Sequence, residues 1–180
     1  NREQQQIEAV ALWVNGQGTQ SLALIREHLK EYPRNQLMLA MAQRLFMLGC
    51  SSVGVPNFPE ELFALCQSVE RQCSDDWSFL GQYSFAHHET GKLDEAMRLS
   101  ERSMEMMPSN GVASHSVAHV YFERGDASGG GSFLSNWLVG YDKRGPSTVH
   151  LFWHQALFEL AMGRYQGVLD IYETEIRPTV

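Results

Sequence analysis

The sequence predicts an all-α chain folded as a solenoid of about five antiparallel helix pairs stacked side by side, and three observations predict it. Glycines recur at intervals close to the length of one helix pair: Gly16, Gly49, Gly91, Gly125 and Gly163 are separated by 33, 42, 34 and 38 residues. Two of them, Gly16 and Gly91, are each followed 17 residues later by a proline, Pro33 and Pro108. No stretch sustains the period-two alternation of a half-buried strand. A repeat of this length means units that cannot bury their apolar faces alone and gain stability by stacking.

The chain reads as a single helical-repeat domain, 1–180, with units at about 2–33, 35–72, 77–108, 110–143 and 148–180. In the first unit Gly16 supplies the left-handed conformation that ends a helix. Leu22, Leu24, Ile25 and Leu29 then form the apolar stripe of the next helix, and Pro33 stops it. The second unit carries the weakest signal. Its turn is Gly49, and an extra loop at 50–59 with Pro56 and Pro59 absorbs the 42-residue step. The third unit is the clearest, reading Gly91-Lys-Leu-Asp-Glu-Ala96 and running on to Pro108. Glycine, then alanine five residues on, then a helix ending at proline is the second half of a tetratricopeptide repeat. Ala96 is small enough to let two helices approach closely.

In the fourth unit, Ala127-Ser-Gly-Gly-Gly-Ser132 falls where the second helix should begin. Glycine costs a helix about 1 kcal/mol relative to alanine at each position. The expectation is a delayed or frayed start before Phe133, or a ligand or neighbouring backbone approaching closely at that point. The fifth unit turns at Gly163, and the loop 140–146 accounts for its 38-residue step.

The balance of 14 basic and 21 acidic residues leaves a net charge of −7, which argues against nucleic acid or an anionic membrane as partner. No apolar run approaches the ~18 residues of a membrane span. The first residues, Asn1 to Gln6, lack the apolar centre of a signal peptide. Three cysteines without zinc-type spacing predict reduced thiols and a cytoplasmic location. Cys66 and Cys73 lie two turns apart on one helix face, about 10 Å and too far for a disulfide. Nucleotide-binding and α/β-hydrolase strings are missing.

With each turn glycine taken as position 15 of its unit, first-helix positions that line a concave surface bring five of the seven histidines to one groove: His88, His115, His119, His150 and His154. His115/His119 and His150/His154 are i, i+4 pairs, which place two imidazoles on one helix face a turn apart. Glu89, Phe122, Glu123 and Trp153 share that groove in the same frame. Three roles fit. The histidines are ordinary groove residues hydrogen-bonded to carbonyls, Trp153 or Tyr83. Or they and the aromatics hold an acidic peptide segment or small anionic molecule. Or His115, His119, His150 and His154 bind a divalent transition metal or exchange protons as acid–base groups. The Glu of His-Glu-x-x-His is missing, so metal binding would not imply a hydrolase.

The function expected first is a non-catalytic binding or scaffold module with no cofactor, holding a peptide segment or small ligand in this groove. The metalloprotein or enzyme is the alternative. Solenoid ends also suit stacking of chains into a homo-oligomer.

The chain resembles the tetratricopeptide repeat protein 38 family. The resemblance rests on His115-Ser-Val-Ala-His119-Val and His150-Leu-Phe-Trp153-His154-Gln-Ala-Leu-Phe-Glu-Leu. Gly81-Gln-Tyr83-Ser-Phe85 with Glu89, and Arg2-Glu3 with Glu8-Ala9 and Trp13, support it. It implies a helical-repeat fold and, by analogy, a binding role. The chain departs from the family at the Pro-rich loop after the second unit and at His87-His88.

Overall fold

A computed structural model describes residues 1–47 and 57–177. Helices α1 (Arg2–Val14) and α2 (Gly18–Glu31) form the first pair, and α3 (Gln36–Met47) and α4 (Phe58–Cys73) the second. The third pair is α5 (Trp77–Glu89) with α6 (Leu93–Met106), and the fourth α7 (Gly111–Glu123) with α8 (Ala127–Leu138). In the last, α9 (Thr148–Ala161) packs on the short α10 (Tyr165–Ile171), which runs into a π-helical turn, Tyr172–Ile176. First helices of successive pairs lie side by side, α3 by α5, α5 by α7 and α7 by α9. The described residues contain no strand, and no helix among them is long and apolar enough to cross a membrane.

Four of the five turn glycines do the work their spacing predicts. Gly16, Gly91, Gly125 and Gly163 have φ of 76°, 73°, 69° and 73°. Each closes its helix with the same two bonds: the glycine N–H donates three residues back and the next N–H five residues back. For Gly91 these are 2.8 Å to the His88 carbonyl and, from Lys92, 2.9 Å to the His87 carbonyl. A residue with a Cβ would be strained there. Gly49 and most of the loop predicted at 50–59 lie outside the described residues. Pro59 does not belong to that loop: it sits in the first turn of α4, where a missing N–H breaks no helical bond.

Second helices carry the stripes that fill the stack. Leu22, Ile25 and Leu29 of α2 are buried, with Leu24 packed at their edge. Cys66 and Cys73 are free, buried thiols on α4. At the junctions, buried asparagines tie the end of one pair to the start of the next. Asn110 accepts from the N–H groups of Val112 (3.1 Å) and Ala113 (3.5 Å) and donates to Ser103 Oγ at 2.8 Å. Asn35 stands at the corresponding place and bonds His28 Nε2 at 2.7 Å.

The glycine run in the fourth pair behaves otherwise than its composition predicts. Helix α8 starts at Ala127, with Asp126 accepting from the Gly129 N–H at 2.8 Å. The start is neither delayed nor frayed, because the space at Gly130 and Gly131 is filled by side chains of α9 and the turn that follows it. A Cβ on Gly130 would run into the Phe158 ring, and one on Gly131 would stand 3.1 Å from Met162 Cε. What comes close is a neighbouring side chain, and its burial offsets the intrinsic cost of glycine.

Candidate functional site

Helices α5, α7 and α9 pack side by side, and the predicted histidines meet where they do. On α7, His115 and His119 are four residues apart, and their Nε2 atoms lie 2.8 Å from each other. His150 on α9 brings its Nε2 to 2.8 Å from that of His115, and His154 Nε2 is 3.1 Å from His150 Nε2. All four donor atoms fall within 4.8 Å of one another. The i, i+4 spacing explains each pair, and side-by-side packing of α7 and α9 joins the pairs.

Around this cluster stand the aromatics. Phe85 of α5 stacks on His115 at 5.6 Å and meets His119 edge-on at 5.9 Å. Trp153 stacks on His150 at 5.4 Å and presents an edge to His154 at 5.0 Å. His88 is buried, 4.6 Å from the His119 ring, and its Nδ1 lies 3.1 Å from Glu89 Oε1. His88, Glu89 and His119 form a second group of converging donors beside the first.

Two predicted residues fall outside. Phe122 is 52% exposed and makes no ring contact with the imidazoles. Glu123, the last residue of α7, is exposed and joins neither donor group. It lies one turn beyond His119, about 6 Å along the axis, past the end of the cluster. The remaining histidines sit elsewhere: His28 in the first pair, and His87 between Phe63 and Tyr83.

The imidazoles of the cluster are neutral at ordinary pH. Burial, with repulsion from the neighbouring rings, pulls His119 down to about 3 and His154 down to about 4. His115 is lowered for the same reasons, and His150 by partial desolvation. Four neutral rings offer lone pairs to a cation, and their Nε2 atoms face one another rather than carbonyls.

A groove of about 520 Å³ opens on the exposed His150 side of the cluster. It is lined by Gln43 and Arg44 of α3, Trp77 and Gln82 of α5, His115 and His150. Gln82 Oε1 is buried with no hydrogen-bond partner, and Arg44 has no carboxylate partner among the described residues. Sequence spacing also reaches the α3 side, which the histidine pattern does not mark: with Gly49 as position 15, Gln43 falls at position 9, one of the groove positions.

Fold and groove together define a tetratricopeptide-type α-solenoid. No family model matches the chain. Among solved structures it is similar to a thermophilic tetratricopeptide repeat protein of Thermus thermophilus, at 17% identity and a TM-score of 0.71 over 96% of this chain and 89% of that one. It is also similar to a putative kinesin light chain of Podosopora anserina with nearly identical tetratricopeptide-like repeats, at 15% identity and a TM-score of 0.63 over 95% and 91%. A third similarity is to MamA, at 10% identity and a TM-score of 0.63 over 96% and 88%. Likenesses at these identities establish the fold and leave function to the site.

Proposed function

We propose that the chain is a non-catalytic recognition module, a protein-interaction scaffold whose concave groove holds an extended peptide segment and pairs one of its carboxylates with Arg44. One observation carries this reading: a groove built by the first helices of four successive pairs offers a cation and a buried acceptor that have no partner among the described residues. A peptide supplies both complements, a carboxylate for Arg44 and a backbone N–H for Gln82 Oε1. Trp77 and Trp153, 38% and 45% exposed, add apolar contact at the groove and its margin. With a net charge of −7, the protein selects a single carboxylate rather than a polyanion.

Membership of the tetratricopeptide repeat protein 38 family is part of the same proposal. The stretches that carry the resemblance, His115 to Val120 and His150 to Leu160, are those that supply the imidazole cluster. A cytoplasmic location also belongs to it, supported by Cys66 and Cys73 being free thiols.

Selection from a random peptide library against the untagged protein tests the reading. Enriched peptides carry Asp, Glu or a free C-terminal carboxylate, and Arg44→Gln weakens them about tenfold, the loss of one charge-assisted pair. A library without enrichment, or peptides that bind Arg44→Gln and Gln82→Ala as tightly as the parent, overturns it.

A further inference from the structure

Where α7 passes α9, four ring nitrogens face one another in an arrangement that hydrogen bonding alone cannot satisfy. A ring nitrogen has one in-plane site, either a hydrogen or a lone pair. His115 Nε2 is 2.8 Å from both His119 Nε2 and His150 Nε2, and His150 Nε2 is also 3.1 Å from His154 Nε2. Pairing His119 with His115, and His150 with His154, uses all four sites. The 2.8 Å contact between His115 and His150 then has no group left to fill it. A cation at the centre would accept all four lone pairs at once.

We propose that Nε2 of His115, His119, His150 and His154 together hold one divalent transition-metal ion. This goes beyond the recognition reading and does not depend on it. Metal–nitrogen bonds of 2.0–2.1 Å in a tetrahedral set put the nitrogens about 3.3 Å apart. Three of the separations, at 2.8–3.1 Å, fall just short of that spacing, and the remaining pairs lie within 4.8 Å, so ring shifts of no more than about 1 Å bring the set to it. The helices hold each pair in register, and Phe85 and Trp153 wall the rings on either side, so the ligands are positioned before a metal arrives.

The donor set also chooses the ion. Four imidazoles suit zinc, copper, nickel or cobalt and exclude calcium and magnesium, which require oxygen. Glu89, whose carboxylate lies within 4.8 Å of the donor atoms of His88 and His119, offsets part of the positive charge. Four protein ligands close a tetrahedron, the signature of a structural centre. The ion would therefore clamp the fourth helix pair to the fifth and fix the curvature of the groove floor.

The test uses untagged protein stripped by a chelator and titrated with zinc or cobalt sulfate. One equivalent binds per chain, cobalt gives the intense visible bands of a tetrahedral site, and zinc raises the thermal midpoint. The His115→Ala/His154→Ala double variant loses the equivalent, whereas His87→Ala, outside the cluster, retains it. A stripped parent protein that is folded by circular dichroism and takes up neither zinc, cobalt, nickel nor copper overturns the proposal without reference to any variant. So does a folded double variant that binds zinc as tightly as the parent. Peptide binding measured with chelator present keeps the recognition reading separately testable.

Discussion

The ring of Phe158 lies so close to Gly130 that a methyl group on the glycine would overlap ring carbons. Two effects oppose each other in Gly130→Ala. Helix propensity favours alanine by about 1 kcal/mol. Overpacking against a ring that is 1% exposed costs about 1–3 kcal/mol. The ring cannot withdraw, so the clash wins and the variant unfolds more readily in urea. Adding Phe158→Leu relieves the overlap, and the double variant is less destabilised than the sum of the single changes.

Asn110 does two jobs with one side chain, and two substitutions separate them. Its oxygen caps α7 through Val112 and Ala113, and its nitrogen donates to Ser103 Oγ. Asn110→Ala removes both, with a cost of about 1–2 kcal/mol from the cap alone. Asn110→Asp keeps the capping oxygen but sets a buried carboxylate oxygen against Ser103 Oγ and the Trp77 carbonyl, so its denaturation midpoint falls below the parent's. A midpoint equal to the parent's would show that the donor contributes little.

Turn chemistry was legible in the sequence because it is local. Gly91 needs a left-handed φ whatever surrounds it, and the spacing from Gly16 to Pro33 states a helix length directly. The sharing of one face by five histidines was legible too, since helical periodicity decides it. Gly129-Gly-Gly131 was misread for the complementary reason: propensity is a property of the segment, whereas Phe158 arrives from another helix. The meeting of His115 with His150 to within 2.8 Å was beyond sequence reasoning. It depends on how far α9 is rotated against α7, which the packing of the whole stack sets.

Cys66 and Cys73 should be inert toward alkylation in the folded protein. Burial pushes the Cys66 thiol up to about 12, and the charge of Cys73 adds to the effect. Cys73 is raised too, mainly by burial, and its Sγ contacts the Pro33 carbonyl oxygen at 3.2 Å. Thiolate is the reactive species, so little is present near neutral pH. Brief treatment with iodoacetamide followed by peptide mass spectrometry leaves both unmodified, and labelling appears when urea unfolds the chain. Rapid labelling of Cys66 without denaturant would contradict its placement in the core.

His28 makes the first helix pair sensitive to acid, and the direction follows from its bonds. Its Nδ1 lies 2.7 Å from Gln5 Oε1, an acceptor, so that nitrogen carries the hydrogen. Its Nε2 lies 2.7 Å from Asn35 Nδ2, a donor, so that nitrogen must keep its lone pair. Burial lowers the pKa below the ordinary imidazole value, with Arg2 adding to the fall and Glu31 opposing it. A group with a depressed folded pKa binds its proton more readily when unfolded. Its contribution is therefore complete above the unfolded value and is lost as pH falls from there toward the folded one. The loss from a single such group is at most about 1.4 kcal/mol per pH unit. His87, His119 and His154 are lowered as well, so the informative quantity is the difference between the parent and His28→Gln. Urea unfolding at about pH 7.5 and about pH 5 should show the parent losing more stability than the variant between the two. Equal losses would mean that the Gln5–His28–Asn35 chain accepts a proton without breaking, and that acid acts on the solenoid elsewhere.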